Sequence, residues 1–255
     1  MLHSLKILTK YNLLAENGEF GTVNDLLFDD RDWQIRYLVA DTGEWLPGRL
    51  VLLPPSTFGE PDAGAEVFPV SLTKEQVKES PPISTDEPVS RHEERQVVLH
   101  AYRDQTPHLF RSPFDGPVAW VRPVAAADTS DVDTEEQTKT ESGMENIHLR
   151  SAREVIGYQI STSDGELGEV DDFIVDQAPW TIRYLVVKTG TVFDSEKVLL
   201  ALPWVGDIDY HRRQVTVDVT SRQVEESPRY DPSAVVERSY EEALHQYYQR
   251  KRYWE

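Results

Sequence analysis

The chain has no cysteine, so thiolate catalysis, disulfides and cysteine-held zinc are all closed to it. Seven histidines stand at His3, His92, His100, His108, His148, His211 and His245, with no His-x-x-x-His pair among them. Such scatter offers no metal triad. His100 and His245 occupy matching places beside a tyrosine, which reads as packing or surface. Asp29, Asp30 and Asp32, and again Asp171, Asp172 and Asp176, cluster as calcium ligands can. The glycine and terminal glutamate of an EF-hand loop are missing, so acidic turns explain them better. No serine sits in a nucleophile elbow. Gly18-x-x-Gly21 and Gly165-x-x-Gly168 lack the lysine and helix of a phosphate loop. The expectation is a protein without catalytic residues, cofactor or metal.

Two polar groups stand out against apolar surroundings. Arg36 and Arg183 lie inside hydrophobic segments, and a buried guanidinium needs a partner because desolvating a lone charge is costly. Asp25 and Asp172, in the preceding strand, are the expected partners, giving structural ion pairs Arg36–Asp25 and Arg183–Asp172. Near the C-terminus, Tyr240, Tyr247, Tyr248, Tyr253 and Trp254 gather around the basic run Arg250-Lys-Arg. They have two readings, packing onto a β unit or recognition of another protein, since Tyr, Trp and Arg anchor interfaces.

The elements that must position these residues occur twice. Gly18 to Pro81 aligns with Gly165 to Pro228 at a constant offset of 147 without a gap, and roughly two dozen positions are identical. Each copy reads as a first strand (Leu5 to Leu14 in the first), then a hairpin at Asn17-Gly18 or Asp164-Gly165, with type I′ geometry expected. Gly21 to Phe28 forms the next strand. Trp33, Ile35, Tyr37 and Val39 then alternate with polar and apolar neighbours on what reads as one strand face, as do Trp180, Ile182, Tyr184 and Val186. Both tryptophans are expected in the core. Leu50 to Leu53 and Val198 to Leu202 add a strand each, and Leu72 to Pro81 and Val219 to Pro228 read as short helical turns stopped by proline.

Beyond the repeat, Ser84 to Tyr102 and Asp231 to Tyr248 read as helical tails. Asp231-Pro232 serves as N-cap and first turn, and Val236, Tyr240, Leu244, Tyr247 and Tyr248 form one apolar stripe. The segment 107–123 reads as an aromatic, proline-containing arm. Residues 124–143, poor in large apolar groups, read as a flexible acidic linker. The domain layout is therefore 1–106, 107–123, 124–143 and 144–255.

Charge excludes some partners. The formal net charge is −19, with −8 in residues 1–110, −4 in 111–143 and −7 in 144–255. A surface acidic throughout repels phosphate backbones and anionic lipids, so direct nucleic-acid binding is not expected. No apolar run reaches the roughly 18 to 20 residues of a membrane helix, and Met1 to Lys10 lacks the form of a secretory signal. Together with the lack of cysteine this points to a cytoplasmic protein without membrane insertion.

The glycine hairpin, Gly-x-Val-x-Asp, aromatic-x-Ile-Arg-Tyr-Leu-Val and the Val-Leu-Leu strand resemble the PRC-barrel family, as does the Ser80 to Arg91 continuation. The family includes the cytoplasmic part of the photosynthetic reaction centre H subunit and the C-terminal barrel of the ribosome maturation factor RimM. The resemblance implies a mainly β fold of two tandem small antiparallel β-barrels of about six strands, each with a short helical tail. It implies a non-enzymatic adaptor for other proteins, as a pseudo-symmetric monomer or a homodimer. A photosynthetic electron-transfer accessory and a RimM-like ribosome-assembly factor are the alternatives. The first would require an N-terminal membrane helix that Met1 to Leu14 cannot supply, the second a different N-terminal domain.

Overall fold

A computed structural model describes residues 1–85, 88, 148–191 and 194–254. Residues 1–85 and 149–254 belong to one compact unit. The first helical tail beyond Thr85, the 107–123 arm and the 124–143 linker lie outside the described residues. In the first copy the elements are β1 (Leu2–Ser4), α1 (Leu5–Leu8), β2 (Asn12–Ala15), β3 (Gly18–Asp29), β4 (Ile35–Asp41), β5 (Leu50–Leu53), β6 (Val67–Pro69) and α2 (Lys74–Glu79). The second copy follows with β7 (Leu149–Ser151), α3 (Ala152–Val155), β8 (Gln159–Thr162), β9 (Gly165–Asp176), β10 (Thr181–Thr191) and β11 (Asp194–Ala201). Then come β12 (Val205–Asp209), β13 (Gln214–Val217), α4 (Ser221–Glu225) and α5 (Arg238–Tyr248).

The protein is mainly β, in two sheets. One runs β5-β4-β3-β2-β6 and the other β11-β10-β9-β8-β13-β12. Each sheet borrows one strand from the opposite copy. β1 pairs antiparallel with β9 in register Leu2↔Asp176, and β7 pairs antiparallel with β3 in register Leu149↔Asp29. The copies also meet through Ile35 N–H, which donates to Trp180 C=O, and Ile182 N–H, which donates to Trp33 C=O, each at 2.9 Å. Both tryptophans have positive φ, 60° and 61°, an uncommon state for a bulky residue that turns their carbonyls toward the other copy. They are 9% and 8% exposed, and the main hydrophobic core runs through both copies without a break.

Four expectations need correction. The sheets are not closed barrels, and they are not purely antiparallel, because β6 joins β2 and β13 joins β8 in parallel. The Leu5 to Leu14 strand is instead α1 followed by β2. Its first turn is helical because Ser4 Oγ accepts from Ile7 N–H and an aspartate of the other copy accepts from Lys6 N–H. The hairpin turns are Glu16-Asn17 and Ser163-Asp164, one residue early, with Ala15↔Gly18 and Thr162↔Gly165 closing them. None of those four turn residues has positive φ, so the type I′ expectation fails. The turns are held from outside. Asn17 accepts from Lys74 N–H, and Asp164 accepts from Ser221 N–H.

The alternation expected for Trp33 to Val39 fails for a geometric reason. Phe28 pairs with Ile35 and Leu27 with Tyr37, so Arg36 is the extra residue of a β-bulge; Arg183 is extra in the same way between Ile182 and Tyr184. A bulge slips the side-chain period by one. Ile35, Leu38 and Ala40 therefore share the main core, whereas Tyr37 and Val39 face a smaller cluster with Leu27 and Leu52. Helices α2 and α4 do form, each with a capping box (Thr73/Gln76, Thr220/Gln223). In the C-terminal tail, Asp231 accepts from Ser233 N–H in a local turn, and α5 begins only at Arg238.

Gly21 and Gly168 are required by close approach. A Cβ on Gly21 would lie 1.9 Å from Asp41 O, and one on Gly168 2.2 Å from Lys188 O. Gly21→Ala should lower stability by about 1–3 kcal/mol through overpacking, read as the urea midpoint. Gly206→Ala, whose Cβ meets Thr216 O at an ordinary 3.5 Å, should leave that midpoint nearly unchanged; equal effects would refute the steric account.

Candidate functional site

The strongest polar constellation sits where the copies cross. Ser4 and Ser151 are N-caps of α1 and α3, and each also reaches a carboxylate of the opposite copy. Asp25 accepts from Ser151 Oγ at 2.5 Å, from Arg153 N–H at 3.0 Å and from Leu26 N–H at 2.8 Å. Asp172 accepts from Ser4 Oγ at 2.5 Å, from Lys6 N–H at 3.0 Å and from Phe173 N–H at 2.8 Å. The two sets match atom for atom at the repeat offset. The aspartates are 7% and 5% exposed. Bulges at Asn24 and Asp171, just before them, aim them across. Burial pushes the Asp25 carboxyl up to about 6 against the pull of the Ser151, Arg153 and Leu26 donors, and burial likewise raises Asp172.

This geometry overturns the expected pairs Arg36–Asp25 and Arg183–Asp172. The bulges place both arginines at the far end of their hairpins. Arg36 pairs with Asp29 at 3.2 Å and Asp32 at 2.6 Å, and Arg183 pairs with Asp176 at 3.2 Å. The Arg31 guanidinium beside Asp29, with Arg36 adding to it, holds that carboxyl well below the usual range. Arg150 of the second copy pairs with Asp30 at 2.5 Å. The acidic turn is therefore a set of clamps on arginine. Among the described residues no three His, Asp or Glu side chains gather as a metal site needs.

The C-terminal aromatics pack largely onto their own sheet. Tyr240 Oη donates to Pro228 C=O, and Tyr247 and Tyr248 donate to Gln223 C=O. Tyr248 lies 4.3 Å from Trp204, ring centre to ring centre, and is buried. Glu241, 2% exposed, accepts from Tyr184 Oη and Tyr253 Oη at 2.8 Å each and pairs with Arg238 at 3.0 Å. The Arg183 guanidinium lies 4.3 Å from the Tyr253 ring centre, and that of Arg238 lies 4.0 Å from the Trp254 ring centre. These contacts hold the chain end down as a clasp. His245 lies beneath it between Trp204 and Trp254, and burial lowers its pKa below the ordinary imidazole value. Four of the five nominated residues thus spend their polar atoms internally, and the rings of Tyr253 and Trp254 are covered by arginine.

A groove of about 670 Å³ runs along β1 and is lined by Met1, Leu2, Ile7, Tyr11, Val235 and the Glu60–Gly64 loop, among others. Met1 (68% exposed), Ile7 (42%) and Val235 (69%) are three of the four large hydrophobic residues exposed among the described residues. Sequence reading missed this surface. Ile7 lies in the segment read as a strand, Leu5 to Leu14, and the turn into α1 brings it to the surface beside Met1 and Val235.

Residues 148–224 match the family model of the PRC-barrel domain. A Deinococcus radiodurans protein, described as an uncharacterized protein, is 36% identical over 103 residues. That match covers 36% of this chain and 37% of the other protein, so the chain spans little more than a third of that relative's length.

The crossing aspartates give a pH dependence with a definite sign. Asp25 holds a proton in the folded state up to about pH 6, whereas the unfolded side chain releases it near 3.9. Between those values the folded state binds more protons, so stability should fall as pH rises from about 4 to 6. Asp25→Asn should flatten that part of the curve, measured by urea unfolding at intervals of pH. An unchanged slope would count against the protonated interlock.

Proposed function

We propose that the chain is a non-enzymatic assembly protein in which residues 1–81 form a second PRC-barrel unit beside the matched one. The offset of 147, kept in sequence and in the crossing hydrogen bonds, supports the tandem reading. The reciprocal strand exchange of β1 and β7 supports a single chain that takes the arrangement of a two-subunit complex. The observation that carries a protein-binding role is the groove along β1, where Met1, Ile7 and Val235 are left in water beside a fully packed core. Exposed apolar side chains concentrated on one concave surface mark a place where another molecule is taken up. Among the described residues no helix is long and apolar enough to cross a membrane, and the role needs none.

The resemblances to the reaction centre H subunit and to RimM name two kinds of assembly, a membrane photosystem and a small ribosomal subunit. Affinity capture with the full chain, followed by reconstitution from purified components, tests the proposal. The expected result is a stoichiometric complex with one defined protein, formed by a chain that by itself runs at the mass of a single copy. If no protein reconstitutes with it, the assembly reading fails.

A further inference from the structure

The two copies serve as controls for each other, and they differ where the groove lies. In the second copy Tyr158 is closed off. Its hydroxyl donates to Glu154 at 3.0 Å, and the Arg213 guanidinium lies 5.6 Å from its ring centre. At the corresponding places the first copy has Tyr11, Ile7 and Glu66, and His148 corresponds to Met1. Tyr11 is 3% exposed, lines the groove, and has no hydrogen-bond partner for its hydroxyl among the described residues. Ile7 is 42% exposed where the other copy has a carboxylate. Where the second copy holds its tyrosine with a carboxylate, the first presents an aliphatic side chain to water and a tyrosine hydroxyl without a protein partner among the described residues. That difference makes sense when a ligand covers both.

The groove also has an edge and a charge. Gln177 N–H donates to Met1 C=O, which puts Leu2 at a non-bonded position of the β1–β9 ladder. Its N–H and C=O therefore point away from β9, and among the described residues no other strand pairs with β1. Glu60 and Asp62 stand exposed on the lining loop, and neither has a Lys or Arg partner among the described residues. Burial, with the carboxylates of Glu66 and Asp62 adding to it, raises the Tyr11 hydroxyl above its ordinary value. The rim is negative on a chain whose net charge is −19.

From these features we infer that the groove takes an extended segment of another protein that carries branched aliphatic residues flanked by lysine or arginine. The segment lies along β1, hydrogen-bonds to Leu2 as an added strand, places aliphatic side chains against Met1, Ile7 and Val235, and accepts the Tyr11 proton on a main-chain carbonyl. Its basic ends meet Glu60 and Asp62. A second copy of this chain fits less well, since an acidic surface would face an acidic rim. The inference rests on the assembly reading and adds the surface and the chemistry of the partner.

The probe is a fluorescein-labelled peptide of about eleven residues, alternating valine or leucine with serine and ending in lysines, titrated with the full chain and followed by anisotropy. A twin ending in glutamates should bind at least about tenfold more weakly, and added salt should weaken the lysine peptide. Ile7→Glu, which installs the second copy's carboxylate, should weaken binding about tenfold or more. Val235→Ser tests the same contact at a side chain too exposed to endanger folding. Equal binding of the two peptides, or no loss in either variant, overturns the inference. A concentration-dependent dimer abolished by Ile7→Glu overturns it too, in favour of a second copy. If the full chain holds a purified partner that Ile7→Glu does not release, the groove assignment falls while the assembly reading stands. If no partner is held, it is the assembly reading that falls.

Discussion

The fold depends on a carboxylate that belongs to one copy and caps a helix in the other. A helix of four residues has no stability of its own, because nucleation fixes several dihedrals for a single hydrogen bond. Segments α1 and α3 are both this short. Each exists because a serine caps it from within and a buried aspartate, Asp172 or Asp25, accepts its next N–H from across the interface. The same aspartates accept from the two serines, so cap, helix and crossing strand are tied into one cooperative unit. Neither copy can complete its N-terminal segment by itself.

Around that interlock the backbone is bent to suit. Bulges at Asn24 and Asp171 aim the aspartates inward, and bulges at Arg36 and Arg183 push the arginines to the hairpin ends. There they meet Asp29 and Asp176 instead of the buried pair. The separation is physically sensible. An arginine brought to Asp25 would have to be desolvated with it, whereas hydroxyl and amide donors stabilise the site without importing a second charge.

Outside the interlock the copies differ. The second copy is closed: Lys6 and Lys197 bracket Asp171, Glu154 holds Tyr158, and α5 with the chain end covers Tyr184 and Trp204. At the matching positions the first copy carries Asn24, Leu50 and Ile7. Charge pairs give way to neutral or aliphatic groups, and part of the surface that results faces water.

The sequence by itself determined the matching segments at an offset of 147, the β character, the buried tryptophans, the two short helices that end the segments and the lack of any thiol, because each follows from local composition and spacing. It also showed that the two arginines and the two aspartates needed explaining. It could not assign their partners. A single bulge slips the side-chain period by one, and no propensity at Arg36 announces it. It read Leu5 to Leu14 as a strand because the acceptor that makes Leu5–Leu8 helical lies more than 160 residues away along the chain. The tertiary structure alone decided which copy each N-terminal strand would join, that the sheets would stay open, and that Ile7 would stand beside Val235. Those outcomes depend on long-range contacts, whose energies are set by the folded geometry and leave no periodic trace in the chain.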